Sequence, residues 1–460
     1  MTGLLGFFTL GLWIYWAFYH DVKERPSVSS SVWIVVALLF LHGTRPLTSW
    51  FGWESQYSRD EGNPEEAFVN LTLIVAGLIV LSRRGILWSA VIRDNKWLFV
   101  VYLFWFMSII WSDYPIITFK RLFKEFGYVV MVLIILTDRE PCETIKAVCV
   151  RFAYLCVPLS VVLIRYYPDW GRVFGGYQKN VPMYVGVSTH KNVLGILVLV
   201  SALFLLWDLL DSPEKFRNRL KKATFVSRVL VLLMCWYLLM IIDSQTSLIC
   251  AILGSGLLVV LLKFPSLRHN PARLEAGGLG AAVVLLVLDL FIDIKETFLH
   301  SVGRDPTLTT RTDIWPLLIE FQDNPLFGKG YNTFWAGERM ELLADKTFGI
   351  IQAHNGYIET YLNGGLIGVG LLVVLLLLTY IRTRNSLVLS LPDSSIRFVI
   401  LLTTIFHNYS EASFNKIGPL WFVTLFTFME YRNRQSRPLY QHERDTAPQS
   451  FKLRAEQGSC

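Results

Sequence analysis

The sequence predicts an all-α protein that crosses the membrane many times, and two observations carry this prediction. Hydrophobic residues make up 53% of the 460 positions and charged residues only 17%, with a mean hydropathy of +0.44. Long apolar segments also recur along the whole chain. A helix rises about 1.5 Å per residue, so most of these segments are long enough to cross a bilayer core of about 30 Å. This composition excludes an ordinary soluble domain.

About thirteen apolar segments qualify as membrane spans. They cover residues 1–19, 30–43, 66–82, 97–112, 122–137, 143–165, 188–210, 226–242, 244–263, 277–294, 355–381, 396–409 and 417–431. The first segment is expected to be a retained span, because it has no positively charged start and no small-residue signal-peptide cleavage site before Asp21. Nothing in the sequence predicts a soluble catalytic domain.

The cysteines do not follow a metal-binding or disulfide pattern. Three of the six, Cys142, Cys149 and Cys156, are spaced by seven along one predicted helix, and Cys235 and Cys250 lie inside other spans. Buried packing accounts for this distribution. The sequence therefore predicts neither a bound metal nor another cofactor.

Basic residues in short loops indicate which ends of the spans face the cytoplasm. The loop 211–228 carries six of them and is placed on the cytoplasmic side. Counting spans outward from this loop puts the other basic loops, and the tail after the last span, on the same side. Lys120, Arg121 and Lys124 are the exception, because they fall on the outer side just before the fifth segment. Either they lie on an interfacial helix or the count is wrong there.

Two long loops are placed outside, at residues 44–65 and 295–353. Loops longer than about 12 to 15 residues are usually functional or disordered. The second loop contains many aromatic residues among turn signals such as those around Asn324, so we expect it to bury a small core. It should form one or two short helices, the first beginning near Thr310. The chain after about Arg432 is expected to be a polar cytoplasmic tail.

The polar patch at residues 354–365 opens a membrane span and is the leading candidate site, because polar groups at that depth are costly. If the helix includes His354, then His354 and Glu359 lie about 140° apart around it and do not form a metal pair, which needs ligands at i and i+4. The outward-facing helix N-terminus instead suits an anion, and a histidine there suits a general base. The alternative is that His354 and Asn355 only cap the span and bond the outer loop.

Three further polar elements are placed on the same outer face. The guanidinium of Arg311 suits bidentate phosphate binding, or alternatively a salt bridge to Asp313 or Glu320. Lys191 opens another span at the end where the helix dipole is positive, so it needs an anionic partner, unless it only snorkels at the interface. The polar break at 243–247 either contributes to this face or is a tight turn with a capping serine.

The motifs in these elements resemble a known family. Residues 354–359 read His-Asn-x-Tyr-Ile-Glu, 311–315 read Arg-x-x-Ile-Trp, 324–330 read Asn-Pro-Leu-Phe-Gly-x-Gly and 190–195 read His-Lys-Asn-x-Leu-Gly. In this order and spacing they resemble the O-antigen ligase and polysaccharide polymerase superfamily of bacterial inner-membrane proteins. The resemblance covers roughly residues 186–375 by motif and the remainder by its pattern of spans.

The resemblance implies a C-type glycosyltransferase architecture with a partly helical periplasmic loop. It implies metal-independent, inverting transfer of a glycan from undecaprenyl pyrophosphate to an acceptor hydroxyl, with His354 activating the hydroxyl and Arg311 holding the pyrophosphate. Further residues are predicted to contact the substrate: Lys191, Asn192, Gln245, Asn355, Tyr357 and Glu359. The expected partners are the lipid-linked oligosaccharide, an acceptor glycan, membrane lipid and other polysaccharide assembly proteins, and no nucleic acid.

The sequence departs from this family at one position. Ligases of the family usually carry a second arginine after a serine, where this chain has Gln245. Lys191 is the candidate replacement for the missing cation, ahead of Arg165 and Arg172. The change at Gln245 and the Lys191-Asn192 motif both favour the exopolysaccharide polymerase branch over ligation to a lipid A core.

We predict four regions: N-terminal spans at 1–185, a ligase-like core at 186–380, C-terminal spans at 381–431 and a cytoplasmic tail at 432–460. The leading functional hypothesis is a polymerase of lipid-linked repeat units. A glycan ligase is the near alternative, and a flippase or other transporter of the same lipid is the alternative from another class. Transporters often show paired inverted repeats with broken helices, whereas the polar elements of this sequence gather at one face.

Overall fold

The structure is a computed structural model that describes residues 2–52, 62–174, 182–211, 218, 222–278, 311–346 and 351–431, and it confirms the all-α class. The helices of the first half are α1 (Thr2–Glu24), α2 (Val32–Gly43), α3 (Leu47–Trp50), α4 (Pro64–Ser82), α5 (Trp88–Asp94), α6 (Lys96–Met107), α7 (Pro115–Leu136), α8 (Pro141–Tyr166) and α9 (Pro168–Gly171). After α9, β1 (Arg172–Phe174) pairs antiparallel with β2 (Pro182–Tyr184).

The second half of the chain is helical as well. Its helices are α10 (Lys191–Leu210), α11 (Ala223–Ile241), α12 (Gln245–Lys263), α13 (Pro265–His269), α14 (Arg311–Glu320), α15 (Gly337–Lys346), α16 (Gly356–Val388), α17 (Ser394–Ser410) and α18 (Pro419–Phe428). Residues 271–278 are also helical.

Twelve of the thirteen predicted spans coincide with helices. The remaining one, 277–294, lies outside the described residues except for its first two positions. By length and composition, α4, α8, α10, α11, α12 and α16 can each cross a membrane, and α2, α6 and α18 are apolar but shorter. The chain is therefore a multi-pass membrane protein.

The fifth predicted span begins earlier than expected. The sequence analysis placed it at 122–137, whereas α7 begins at Pro115. Lys120, Arg121 and Lys124 therefore belong to the first turns of this long helix, at its predicted outer end, and not to a separate interfacial helix. Arg121 donates to the backbone carbonyl of Asn332 in the outer loop. The proline at the first turn is compatible with an early helix start, because its missing N–H would have no helical partner there.

The core of the bundle is built around α8 and α10, the most deeply buried spans. Helix α8 packs against α1, α2 and α10, and α10 also packs against α11 and α12. The contact with α12 needs glycine at position 195, because a Cβ on Gly195 would lie 2.7 Å from the Ser247 hydroxyl and 2.8 Å from the Ser244 hydroxyl. Small residues let membrane helices approach closely. The first turns of α10 and α12 consequently lie side by side.

A buried ion-pair network joins the opposite ends of these helices. Arg25 donates to the Asp208 carboxylate at 2.6 Å. Arg228 lies 2.7 Å from the same carboxylate, and Arg151 donates to Asp21 at 2.8 Å. All five side chains are buried, and buried charges are tolerated when they are paired. The network therefore holds α1, α8, α10 and α11 together at their predicted cytoplasmic ends.

The outer loop forms the small core that the sequence predicted. Within the described part of the loop, which starts at Arg311, α14 comes first and α15 follows. The buried side chains of this core are Ile314, Leu318, Phe334, Trp335, Leu343, Ala353 and Leu362. Because Leu362 belongs to α16, the loop is packed directly on the outer part of that helix.

Helix α16 is broken at Gly365, where the backbone angles are φ 61° and ψ −162°. Residues 324–330, which we call the plug, fill the break. Leu366 donates its backbone N–H to the carbonyl of Pro325 at 2.8 Å, and the next residue donates to the next plug carbonyl at 3.2 Å. Backbone groups freed within a membrane must be bonded inside the protein. The Asn-Pro-Leu-Phe-Gly-x-Gly motif therefore has a structural role.

Glycines permit the close contact between the plug and the break. Gly328 has φ 72° and lies against the backbone of Asn363, where a Cβ would clash with main-chain atoms. Gly330 has φ 101° and donates its N–H to the Asn363 carbonyl at 2.9 Å. Residues with side chains rarely adopt such positive φ angles, so glycine is needed at both positions.

Candidate active site

His354 lies just before α16 and not within it. The helix begins at Gly356, and Asn355 is its N-cap. The assumption that the helix includes His354 is therefore corrected. The backbone of His354 is left-handed, with φ 49°, a conformation that is uncommon for residues with side chains and that clusters at functional positions. Its side chain is 20% exposed, so the imidazole is partly accessible.

Asn355 caps the helix with its side chain. Its Oδ1 accepts the backbone N–H groups of Tyr357 at 2.9 Å and Ile358 at 3.1 Å, and its Nδ2 donates to the carbonyl of Tyr409 at 3.0 Å. Two of the helix N–H groups that the sequence analysis offered to an anion are thus bonded by the cap. The hydroxyl of Tyr357 is also bonded internally, to the carbonyl of Ile405 at 3.0 Å. Substrate contact by Asn355 and Tyr357 stays a prediction.

Glu411, in the connection between α17 and α18, is a partner of His354. Its Oε2 lies 3.3 Å from Nδ1 of His354, and its Oε1 accepts a hydrogen bond from Nδ2 of Asn192 at 2.8 Å. The Glu411 side chain is buried, with 8% of its surface exposed. One carboxylate therefore joins the motif at 190–195 to the motif at 354–359, which the sequence analysis had only placed on the same face.

Glu359 holds the backbone before His354 from the other side. Its Oε2 accepts the N–H of Ala353 at 3.0 Å, and its Oε1 lies 3.4 Å from Nζ of Lys416. The same Nζ lies 3.4 Å from Oε1 of Gln352, whose Nε2 is 3.4 Å from both ring nitrogens of His354. Glu359 is thus bonded within the protein on both oxygens, and its contact with substrate stays a prediction.

Lys191 has a partner supplied by the protein. Its Nζ lies 2.8 Å from Oδ2 of Asp243, in the turn between α11 and α12, and Nε2 of Gln245 lies 3.4 Å from the other oxygen of Asp243. The sequence analysis expected an anionic partner for Lys191 unless the side chain only snorkels, and Asp243 is such a partner. Substrate binding by Lys191 and Gln245 stays a prediction, and it needs support other than an unbalanced charge.

His190 is the N-cap of α10. Its Nδ1 accepts the backbone N–H of Asn192 at 3.2 Å. Desolvation by the surrounding protein lowers the pKa of His190, with the nearby His354 and Lys191 acting in the same direction and Glu411 opposing them. A lowered pKa favours the neutral ring, which is the form that can accept this hydrogen bond. His190 therefore positions Asn192, which in turn contacts Glu411.

Arg311 is the first residue of α14, and its side chain lies outside what the structure describes. Trp315, one turn later, fixes the position of this helix, because its indole Nε1 donates to the carbonyl of Ala353 at 2.9 Å. The structure thus brings the helix that begins with Arg311 to the residue before His354. The contacts of the guanidinium stay a prediction.

Arg45 is a buried arginine at the predicted outer face that the sequence analysis did not single out. Its guanidinium donates to the carbonyls of Trp170 at 2.7 Å and Ser188 at 3.4 Å, and it lies over the rings of Trp50 and Trp170. These contacts tie the first outer loop to the segment that leads into His190. Arg45 therefore stabilises the framework of the site.

Sequence analysis also missed Glu411 and Lys416, which share the connection 411–418. This connection was counted only as a gap between two spans. An acid and a base directly after an apolar segment, on the side predicted to face outward, were the signal that could have found them.

These contacts define a class: a polytopic α-helical membrane protein with a histidine–carboxylate site at one end of its helix bundle. A family of known proteins matches the part of the chain that carries the histidine of this site. Residues 229–373, which include Arg311, the plug and His354, match a family model described as O-antigen ligase.

The chain is also 26% identical over 297 residues to the exopolysaccharide production protein ExoQ of Rhizobium meliloti (strain 1021). The alignment covers 62% of this chain and 64% of ExoQ, so the chain spans less than two thirds of that relative's length. The two comparisons confirm the resemblance to the O-antigen ligase and polysaccharide polymerase superfamily that the motifs predicted.

Proposed function

We propose that this protein polymerises lipid-linked glycan repeat units at the periplasmic face of the bacterial inner membrane. The pairing of His354 with Glu411 carries the proposal, because it places a potential general base at the predicted outer end of the helix bundle. The pyrophosphate of a lipid-linked donor lies at the membrane surface. A base at this end of the bundle can therefore act on an acceptor hydroxyl placed beside the donor. The outward direction follows from the basic residues at the opposite helix ends.

His354 acts as the general base in the proposed reaction. Its Nε2 takes the proton of an acceptor sugar hydroxyl, and the hydroxyl oxygen attacks the anomeric carbon of the donor glycan. The new glycosidic bond forms as the bond from the anomeric carbon to the pyrophosphate breaks, and the electron pair leaves with the pyrophosphate. Attack from the side opposite the leaving group inverts the anomeric centre. The pyrophosphate already activates the donor, so no nucleotide is consumed.

The pyrophosphate needs positive charge as it leaves, and we assign this role to Arg311 and Lys191 in place of a metal ion. A guanidinium binds phosphate oxygens in a bidentate manner and stabilises developing negative charge. Support for Arg311 comes from the bond between Trp315 and Ala353, which anchors its helix beside His354. Support for Lys191 comes from its position next to Asn192, whose amide contacts Glu411.

Two observations favour polymerisation over ligation to a different acceptor. The relative ExoQ is named for exopolysaccharide production. In addition, Gln245 stands where ligases of the superfamily usually carry an arginine. The description of the matching family model, O-antigen ligase, favours the alternative, transfer of a finished glycan to another acceptor such as a lipid A core.

The break in α16 favours a transporter of the lipid-linked glycan, since transporters often bind substrates at broken helices. In this protein the plug occupies the break at Gly365. The N–H of Leu366 and the carbonyl of Asn363 form hydrogen bonds to plug residues. A filled break offers little to a substrate. This argument supports the enzyme over the transporter.

The products of the purified protein test the proposal. Reconstituted protein is supplied with an undecaprenyl-pyrophosphate oligosaccharide, without metal or nucleotide, and the lipid-linked products are separated by size. A ladder of repeat units on the lipid carrier is the expected result. A single transfer to a different added acceptor would support the ligase, and lipid movement between leaflets without new glycosidic bonds would support the transporter.

Arg311→Ala adds a residue-level test to the same assay, with Arg93→Ala as its control. Arg93 is an exposed arginine that pairs with its neighbour Asp94. We expect the ladder to be lost or strongly reduced only in Arg311→Ala. Equal ladders from both variants would remove Arg311 from the proposed site.

A further inference from the structure

We propose that Glu411 is a positioning residue that holds His354 in the tautomer needed for catalysis. This inference rests on the proposed function, in which His354 is the general base. Glu411 lies beyond the region that matches the O-antigen ligase family model, which ends at residue 373, and it belongs to none of the sequence motifs. The proposal comes from the contacts of its carboxylate.

The chemistry of the contact determines where the imidazole proton lies. An ionised carboxylate can only accept hydrogen bonds, so Nδ1 of His354, 3.3 Å from Oε2 of Glu411, must be the donor. A neutral ring with its proton on Nδ1 carries its lone pair on Nε2. With the proton on Nδ1, the amide of Gln352, 3.4 Å from both ring nitrogens, can donate only to Nε2. Nε2 is therefore the atom that can take a proton from a hydroxyl that replaces this amide. A carboxylate also stabilises the imidazolium that forms when this proton arrives.

The second oxygen of Glu411 is used to orient the carboxylate. Oε1 accepts from Nδ2 of Asn192 at 2.8 Å, so the two oxygens face two different partners and the group cannot rotate without losing a bond. With 8% of its side chain exposed, the carboxylate has little water to replace either partner. Buried hydrogen bonds to a charged group are strong, and breaking one leaves a buried charge unsatisfied.

The backbone that carries Glu411 is also fixed. Glu411 donates its N–H to the carbonyl of His407 at 3.0 Å, which ends α17. Asn408 then holds the following turn, because its Oδ1 accepts the N–H groups of Ser413 at 2.8 Å and Phe414 at 2.9 Å. Gly356, the first residue of α16, lies so close to Asn408 that it has no room for a Cβ. The spacing between Glu411 and the start of α16 is thus set by direct packing.

Two other histidines lie near the same carboxylate, and their Nδ1 atoms have other partners. Nδ1 of His190 accepts the N–H of Asn192, and Nδ1 of His407 lies 3.2 Å from the Ser413 hydroxyl. The nearby lysines face other carboxylates: Lys191 pairs with Asp243 and Lys416 with Glu359. Among these groups, His354 is the ring whose Nδ1 faces Glu411.

A purely structural tie between three segments is the competing explanation, and Glu411→Gln separates the two. Glutamine has the same size and can still accept from Asn192, so the tie is kept. Its NH₂ group then faces His354 and favours the opposite tautomer, with the proton on Nε2. We expect the turnover rate to fall by about 100-fold or more, the contribution typical of general base catalysis, with the donor KM within about twofold.

A compensating variant tests the tautomer directly. In Glu411→Gln combined with Asn192→Asp, the new aspartate can only accept, so it attracts the NH₂ of the glutamine and turns its carbonyl oxygen toward His354. Nδ1 of His354 can donate again. We expect the double variant to regain at least about tenfold of the lost turnover, a part of the general base contribution. If Glu411 were only a structural tie, this recovery would not be expected, because a second substitution in the same contact should not restore the turnover rate.

Glu275→Gln is the matched control, since Glu275 is a carboxylate paired with Arg384 at 2.5 Å near the predicted cytoplasmic side. It should keep the wild-type turnover rate. Thermal unfolding of every variant gives the folded fraction used to correct the rates. Wild-type turnover in Glu411→Gln, or no recovery in the double variant, would overturn the positioning role.

The same experiment separates this inference from the proposed function. If His354→Ala is inactive while Glu411→Gln is fully active, only the role of Glu411 fails. If His354→Ala is itself fully active, the general base assignment fails, and with it the reason for positioning His354.

Discussion

The indole Nε1 of Trp315 donates a hydrogen bond to the carbonyl of Ala353 at 2.9 Å. This bond joins the outer loop to the residue that precedes His354. Arg311 begins the same helix one turn earlier. The bond therefore also sets the position of Arg311, which is proposed to bind the pyrophosphate, relative to His354, the proposed base. Transfer reactions are sensitive to such spacing, and a misplacement of about 1 Å can cost about 100-fold in rate.

Trp315→Phe is therefore expected to lower the turnover rate by about tenfold, within the range that misplacement produces. The phenyl ring keeps most of the packing in the loop core but removes the N–H donor. The lost hydrogen bond should lower the free energy of unfolding by about 1 kcal/mol. Ladder formation by the purified variant and its thermal unfolding measure the two effects.

Trp335→Phe is the control for this variant, because Trp335 lies in the same loop core and, among the described residues, its indole N–H has no hydrogen-bond partner. It should keep the wild-type rate. An equal loss of rate in both variants would assign the effect to ring packing and not to the bond with Ala353.

Gly365→Ala is expected to destabilise the protein and to abolish glycan transfer. The residue has φ 61°, and a Cβ there would clash with the backbone of Leu326 in the plug. Overpacking of this kind typically costs about 1 to 3 kcal/mol. Gly370→Ala, five residues later, is the control, since nothing lies within 4 Å of its Cβ position. A Gly365→Ala variant as stable and active as Gly370→Ala would show that the break is unnecessary.

Variants at Asn355 separate capping from substrate contact. Asn355→Ala should lower the free energy of unfolding by about 1 kcal/mol, because the N–H groups of Tyr357 and Ile358 lose their acceptor. Asn355→Ser restores a capping oxygen and should recover most of this loss, as measured by thermal unfolding. The donor KM of both variants is measured as well. If both variants raise it, although Asn355→Ser regains stability, then Asn355 contacts the substrate in addition to capping α16.

The donor KM shows whether Lys191 binds the pyrophosphate or only forms a salt bridge with Asp243. If Lys191 binds the pyrophosphate, Lys191→Met should raise the donor KM by about tenfold, in line with the loss of a charge-assisted hydrogen bond. Asp243→Asn removes the competing anion, which lies 2.8 Å from the lysine, and should leave the KM unchanged or lower it. Equal, small effects of both changes would mean that the pair is only a surface salt bridge.

The membrane helices were predictable because their signal is local. Twelve predicted spans coincide with helices, and the position of α14 near Thr310 followed from the composition of the outer loop. The start of α7 at Pro115 was missed because Lys120, Arg121 and Lys124 interrupt its apolar pattern, although a long helix tolerates such residues at the membrane interface.

The partners within the site were not predictable, because they depend on contacts between distant parts of the chain. Glu411 lies 57 residues after His354, and only the packing of α17 against α16 brings the two together. For Lys191 the sequence left open an anionic partner or a snorkelling side chain, and it did not indicate that Asp243 lies beside this lysine. The plug was recognised as a sequence motif. Its structural role became clear only from the break in α16 at Gly365, which the sequence did not predict.

Replacement of His354 tests the central claim most directly. His354→Ala is compared with His269→Ala, in which the removed ring is exposed and bonded to Pro265 and Ser390 outside the proposed site. With correctly folded protein and an undecaprenyl-pyrophosphate oligosaccharide, we expect His354→Ala to lose at least about 100-fold in ladder formation, the contribution of a general base, and His269→Ala to match the wild type. Wild-type ladder formation by His354→Ala would contradict the account.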